Sequence, residues 1–173
     1  MNILGLDISS SKIGIAVIDT AGEIVVSETI RLKSNMSLEE RALKFEQRMK
    51  EIDKHYTPMY VFVEQPALMF RGGKTTAQTM AKLQRFNGMC CYIVYSVFDM
   101  VPTMINPRSA RSKLGIKVPK GADSKKVIIE WVKNRYKEKF VFELTHHGNP
   151  RPGTDDRADA IIVALAGTEL DNP

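Results

Sequence analysis

Between Pro58 and Glu64 the chain carries Met59-Tyr-Val-Phe-Val63, a stretch without a charged break. Such a run suits a strand buried on both faces, as in sheets that are covered by helices. Upstream, Ile3-Leu-Gly-Leu-Asp7-Ile and Lys12-Ile-Gly-Ile-Ala-Val-Ile18 flank a turn-like Ser9-Ser-Ser11, and the Asp19-Thr-Ala-Gly22 turn leads into a third β-rich stretch, Glu23 to Leu32. Three consecutive strands in an antiparallel meander are expected. Ser37-Leu-Glu-Glu40 is a capping-box pattern, and Leu38, Ala42, Phe45, Met49 and Ile52 recur at helical spacing, which predicts a helix of about 17 residues before Pro58.

Beyond Glu64-Gln-Pro66, residues Ala67 to Gly73 read as a loop, and a helical pattern runs from Thr75 to Phe98 with Met80, Leu83, Met89, Ile93 and Val97. Val101 to Ile105 reads as a strand, Asn106 to Ala110 as the start of a short helix, and Ser124 to Lys137 as a helix with Val127, Ile128, Trp131 and Val132 inward. Thr145 to Gly153 is loop by composition, and a last helix starts near Asp155 or Asp156 with Ala160, Ile161, Ala164 and Leu165 on its apolar side. The order predicts an α/β domain with a mixed sheet, one domain over residues 1–173. The adjacent Cys90 and Cys91 are badly placed to bridge each other, which points to a reducing compartment. With no membrane-length apolar run and no signal-peptide pattern, a cytoplasmic protein is expected.

Charge is unevenly spread. From Asn106 to Lys139 eleven Lys/Arg stand against three acids, a net of +8 in a chain whose formal charge is +5, so the remainder carries −3. Between Gln65 and Phe98 lie Arg71, Lys74, Lys82 and Arg85 and no acid. That asymmetry suits a nucleic-acid binder, although a lysine-rich solvated helix face would give the same count.

Four carboxylates interrupt patterns that would otherwise build core. Asp7 breaks the first strand, Glu64 closes the fourth, and Asp156 and Asp159 are three residues apart on the last helix, with Asp155 beside them. Each has a plainer reading: Asp7 as an Asx-type cap on the Ser9–Ser11 turn, Glu64 as a solvated strand end, Asp155 and Asp156 as first-turn acids favoured by the helix dipole. Asp159 has no capping reason. Together the four suggest bound divalent metal, because clustered carboxylates repel unless cations neutralise them. All-oxygen donors point to Mg²⁺, with Mn²⁺ able to substitute, and two ions per site about 3.5–4 Å apart would serve phosphodiester hydrolysis.

Asp7 in Leu-Asp-Ile-Ser-Ser-Ser-Lys-Ile-Gly, Glu64 in Val-Phe-Val-Glu-Gln-Pro, and Asp156-Arg-Ala-Asp159-Ala-Ile-Ile-Val-Ala resemble, in order and spacing, the catalytic segments of RuvC-type Holliday junction resolvases of the ribonuclease H-like superfamily. The resemblance implies a mixed five-stranded sheet, three antiparallel strands then parallel ones, flanked by helices. It implies a homodimer that cuts opposed strands of a four-way DNA junction by paired symmetric nicks, in recombination, repair or branched-DNA processing. Bacterial and phage or other viral sources both fit, and for a viral member the compartment is the host cytoplasm. By the same resemblance Asp7, Glu64, Asp156 and Asp159 are the catalytic metal ligands, with Asp155 as an alternative neighbour. Arg111, an Arg where the family has Lys, and Lys125 match basic positions that meet the scissile phosphate, and Phe70, shifted relative to the family's position, is the closest candidate for a loop aromatic near the junction centre. Further DNA contacts are expected from Arg71, Lys74, Arg108, Lys113, Lys120 and Lys126. Rival readings are a ribonuclease H-type or flap- and fork-cutting nuclease, and a non-catalytic binding module, which would gain only repulsion from the four acids. A sugar-kinase type of ATPase would need a duplicated domain, for which 173 residues are too few.

Overall fold

The computed structural model describes residues 1–66 and 76–168. Five strands, β1 (Asn2–Ile8), β2 (Lys12–Asp19), β3 (Ile24–Arg31), β4 (Pro58–Glu64) and β5 (Thr103–Ile105), form one sheet in the order β3-β2-β1-β4-β5. β1 pairs antiparallel with β2 and β2 with β3, whereas β1 runs parallel to β4 and β4 to β5. The expected mixed five-stranded, ribonuclease H-like sheet is therefore present. Its helices are α1 (Leu38–Tyr56), α2 (Ala77–Phe98), α3 (Pro107–Lys113), α4 (Ser124–Tyr136) and α5 (Thr154–Thr168). Among the described residues no helix is long and apolar enough to cross a membrane.

Side-chain alternation along the strands builds two cores. Leu4, Leu6, Ile13, Ile15, Val17, Val61 and Val63 point to the layer of α1 and α2. Ile3, Ala16, Ile18 and Phe62 point the other way, to the layer of α3, α4 and α5. α1 starts with the anticipated capping box, in which Ser37 accepts from the Glu40 amide and the Glu40 side chain accepts from the Ser37 amide. Its Phe45, Met49 and Ile52 are fully buried. Truncating Phe45 to Ala would cost about 3–5 kcal/mol.

Some sequence expectations shift by a turn or less. β5 begins at Thr103 rather than Val101, because Pro102 has no N–H for a ladder and Val101 is exposed. α2 meets the core through Phe86, Cys90, Ile93, Val94 and Phe98, with Met89 and Val97 at its margin. α4 buries Ile129 and Tyr136 as well as Ile128 and Val132, while Val127 and Trp131 are only partly covered. Cys90 and Cys91 are both free thiols.

α5 sits unusually close to the sheet, and glycines make this possible. A Cβ at Gly5 would fall 2.2 Å from the Ala160 carbonyl oxygen, and one at Gly14 would fall 1.9 Å from that of Asp156. β3 fixes the approach to α5 as well: Thr29 Oγ1 donates to the Gly153 carbonyl at 2.8 Å, and Arg31 donates to the Pro152 carbonyl at 3.0 Å.

Candidate active site

Asp7 shares its sheet face with Ile3 and Gly5, and Glu64 shares one with Phe62, so both carboxylates point toward α5. The parallel register sets Leu6 against Val63, which makes Asp7 and Glu64 neighbours at the same ends of adjacent strands. α5 then lays Asp156 and Asp159 over them, its first turns held down by the bare Cα of Gly14. Three separate segments thus deliver acids to one spot.

The electrostatics record that convergence. Burial first, then the charges of Glu64, Asp159, Asp156 and Asp155, hold the Asp7 carboxyl well above the ordinary 3.8. Burial and the Asp159 charge lift Glu64 to about 8, against the opposing charge of Arg111. Burial and Asp155 lift Asp159 to about 7, and Asp156 is raised by burial as well. Asp155 behaves oppositely. Burial would raise it, but the hydrogen bond from Lys125 and the charge of Lys12 outweigh that and hold it at about 2.

The plainer readings of Asp7 and Glu64 do not hold, whereas Asp155 and Asp156 do stand in the first turn of α5. The Ser9–Ser11 turn is closed by Ser9, whose hydroxyl donates to the Lys12 carbonyl at 2.8 Å and accepts from the Lys12 amide at 3.1 Å. Glu64 is no solvated strand end, since burial dominates its environment. Asp155 is engaged by a cation: Lys125 Nζ donates to its Oδ2 at 2.5 Å.

Lys12, which sequence reasoning passed over, enters the cluster from β2. Its Nζ lies 2.6 Å from Asp156 Oδ2 and 3.6 Å from Asp155 Oδ1. Strand alternation puts Lys12 on the face of Gly14, Ala16 and Ile18, and that periodicity is the signal that could have found it.

Among the described residues no group of three or more His, Cys, Asp or Glu side chains is already drawn together as a metal cage. The chemistry of the donors nonetheless fits a divalent cation. Four carboxylates whose pKa values are raised by burial and mutual repulsion are stabilised in the charged form by a cation. Asp156 Oδ2 is buried and faces the Lys12 ammonium at 2.6 Å, a cation already standing where a metal would bind. Oxygen donors of this kind suit Mg²⁺ or Mn²⁺.

The basic segment lies on the same side of the sheet. α3 docks through Ala110 and α4 through Ile128, Ile129 and Val132, which brings Arg111 and Lys125 close enough to oppose the rise of Glu64 and Asp159. Arg108, Arg111, Ser112, Lys117 and Ser124 line a cleft of about 500 Å³. Lys113, Lys120 and Lys126 are exposed, the last beside a hollow that also includes Trp131. Phe70, Arg71 and Lys74, expected to contact DNA, lie outside the described residues. His146 and His147 lie side by side in an exposed loop, their rings tilted by 42° with centroids 3.6 Å apart.

No protein-family model matches the chain, and no curated protein matches it in sequence. Solved structures do match in fold. Thermus thermophilus RuvC in complex with a Holliday junction substrate superposes with a TM-score of 0.71 at 18% identity, covering 98% of this chain and 94% of that one. The yeast mitochondrial Holliday junction resolvase Ydc2 gives 0.62 at 14% identity over 96% of this chain and 77% of its own. The fowlpox virus resolvase with its substrate Holliday junction DNA gives 0.52 at 16% identity over the whole of both chains. At these identities the likeness establishes a shared fold.

Proposed function

We propose that this chain is a metal-dependent, structure-selective endodeoxyribonuclease that resolves four-way DNA junctions. The observation that carries the reading is the meeting of Asp7, Glu64 and Asp159 from β1, β4 and α5, each held above its ordinary pKa by burial and by its acidic neighbours. A module that only binds DNA gains nothing from such a cluster beneath a basic surface. The junction-bound structures of similar fold favour branched DNA as the substrate.

Asp7, Glu64, Asp159 and Asp156 would hold Mg²⁺ or Mn²⁺, two ions per site. When bound, the ions supply an activated water and stabilise the leaving 3′ oxygen, which gives 5′-phosphate and 3′-hydroxyl ends. Lys125 and Arg111 offset the negative charge of the phosphate at the cluster, and Asp155 serves as the counterion that orients Lys125. Arg108 and Lys117, along the cleft, take flanking phosphates. Because each site serves one strand, paired nicks require two copies of the chain. The outer face of α2, with Tyr92 70% and Tyr95 49% exposed, is the surface for that homodimer.

The test offers the protein, with Mg²⁺, a mobile four-way junction, a flap, a plain duplex and an RNA/DNA hybrid. Paired symmetric nicks confined to the junction support the reading. Preference for the hybrid or the flap would move it to the ribonuclease H-type or debranching alternatives, and no cutting of any substrate would overturn it.

A further inference from the structure

Lys12 is set into the acidic cluster with little freedom. Its amide and carbonyl are both tied to Ser9, and the neighbouring Ser10 carbonyl accepts from the buried guanidinium of Arg41 on α1, which also donates to the Ser34 carbonyl at 3.1 Å. From this braced turn the side chain, 28% exposed, reaches across Gly14 to the first turn of α5. It ends 2.6 Å from Asp156 Oδ2, and its charge and hydrogen bond both work against the rise that burial imposes on that carboxyl.

Buried acids that repel one another need positive charge nearby, and an ammonium is a compact point charge able to supply it. A divalent cation that used Asp156 Oδ2 would need the same oxygen. We infer that Lys12 is a positioning residue, the resident counter-cation of the cluster: it keeps the α5 carboxylates in register in the metal-free protein and competes with divalent cations for Asp156. This rests on the reading of the carboxylates as metal ligands. Lys12 therefore weakens divalent binding while it protects the fold from its own acids, and Lys125, on the far side of Asp155, leaves Asp156 to it.

The experiment titrates Mn²⁺ calorimetrically into chelator-stripped wild type, Lys12→Met and Lys12→Arg, and melts each protein with and without Mn²⁺. Lys12→Met is expected to melt at lower temperature without metal, to regain the wild-type melting temperature when saturated, and to bind Mn²⁺ about tenfold more tightly, the effect of removing one nearby positive charge. Lys12→Arg is expected to stay near wild type in the metal-free melt. Should Lys12→Met be too unstable to purify without metal, Lys12→Gln is measured in its stead, and recovery of a folded protein on adding Mn²⁺ supports the inference. Unchanged Mn²⁺ affinity in the neutral variants, with or without a lower melting temperature, overturns it while leaving the nuclease reading intact. Failure of wild type and variants alike to take up Mn²⁺ removes the metal-site reading itself, and the inference goes with it.

Discussion

The backbone of Gly14 lies directly beneath the carbonyl of Asp156, so close that a methyl group on Gly14 would stand 1.9 Å from that oxygen. No rotamer change relieves a clash between two main chains, so α5 would have to lift. Gly14→Ala is expected to cost about 1–3 kcal/mol, the usual penalty of overpacking, and to reduce the stabilisation by Mg²⁺ because Asp156 and Asp159 ride on the displaced helix. Gly88→Ala on α2, where a Cβ meets nothing within 4 Å, is the control and should be neutral or stabilising by up to about 1 kcal/mol. Denaturant melts with and without Mg²⁺ check both.

Asp7→Asn should abolish junction cleavage and leave junction binding largely intact, because the phosphate contacts come from elsewhere. It should also raise the metal-free melting temperature, since it removes a charge that burial and four acidic neighbours oppose. Cleavage gels, binding titrations and melts test the three parts; substantial residual turnover would remove Asp7 from the mechanism.

Stability of the metal-free protein should depend on pH in the reverse of the usual carboxylate sense. Glu64 moves from an ordinary 4.5 to about 8 and Asp159 from 3.8 to about 7 on folding, so the folded state holds protons that the unfolded chain releases. Their contribution is fully present below about pH 4 and lost as the pH rises through about 7 and then 8. Asp155, held at about 2, acts oppositely, its contribution being lost only as the pH falls from about 4 toward 2. Melting temperature in chelator should fall from pH 5 to pH 8, and saturating Mg²⁺ should flatten that fall. A melting temperature that rises over this range without metal would contradict the assignment.

Lys117→Ala, in the cleft, should weaken binding to junctions of different sequence by similar factors and lower the salt slope by about 0.9, the increment for a single neutralised phosphate. Affinity measured at several salt concentrations decides this; an unchanged slope would show that no phosphate sits there.

The sheet was legible because its strands announce themselves by β-branched runs and because Pro58 and Pro66 punctuate the central one. Asp7 and Glu64 stood out as acids where apolar residues were due, and the period of two then fixes the side they share. Lys12 carried no such mark: a lysine at the head of a strand looks solvated, and only the crossing of α5 over β2 turns it into part of the cluster. Gly5 and Gly14 were equally silent, since the closeness of a helix to a sheet is a property of their pairing. Arg111 and Lys125 were found by resemblance, and their common side of the sheet with the acids follows from how Ala110 and Ile128 dock.

The distance along the chain between Asp7 and Asp159 carries a consequence for timing. β1 leaves the ribosome well before α5, the last described helix. Contacts so far apart in sequence form slowly, after the loops between them have closed. On the proposed nuclease reading, until α5 settles onto Gly5 and Gly14 the strand ends hold two of the four acids, so a half-folded chain would have no competent cutting centre. Completion of folding would itself be the safeguard against cleavage by immature copies.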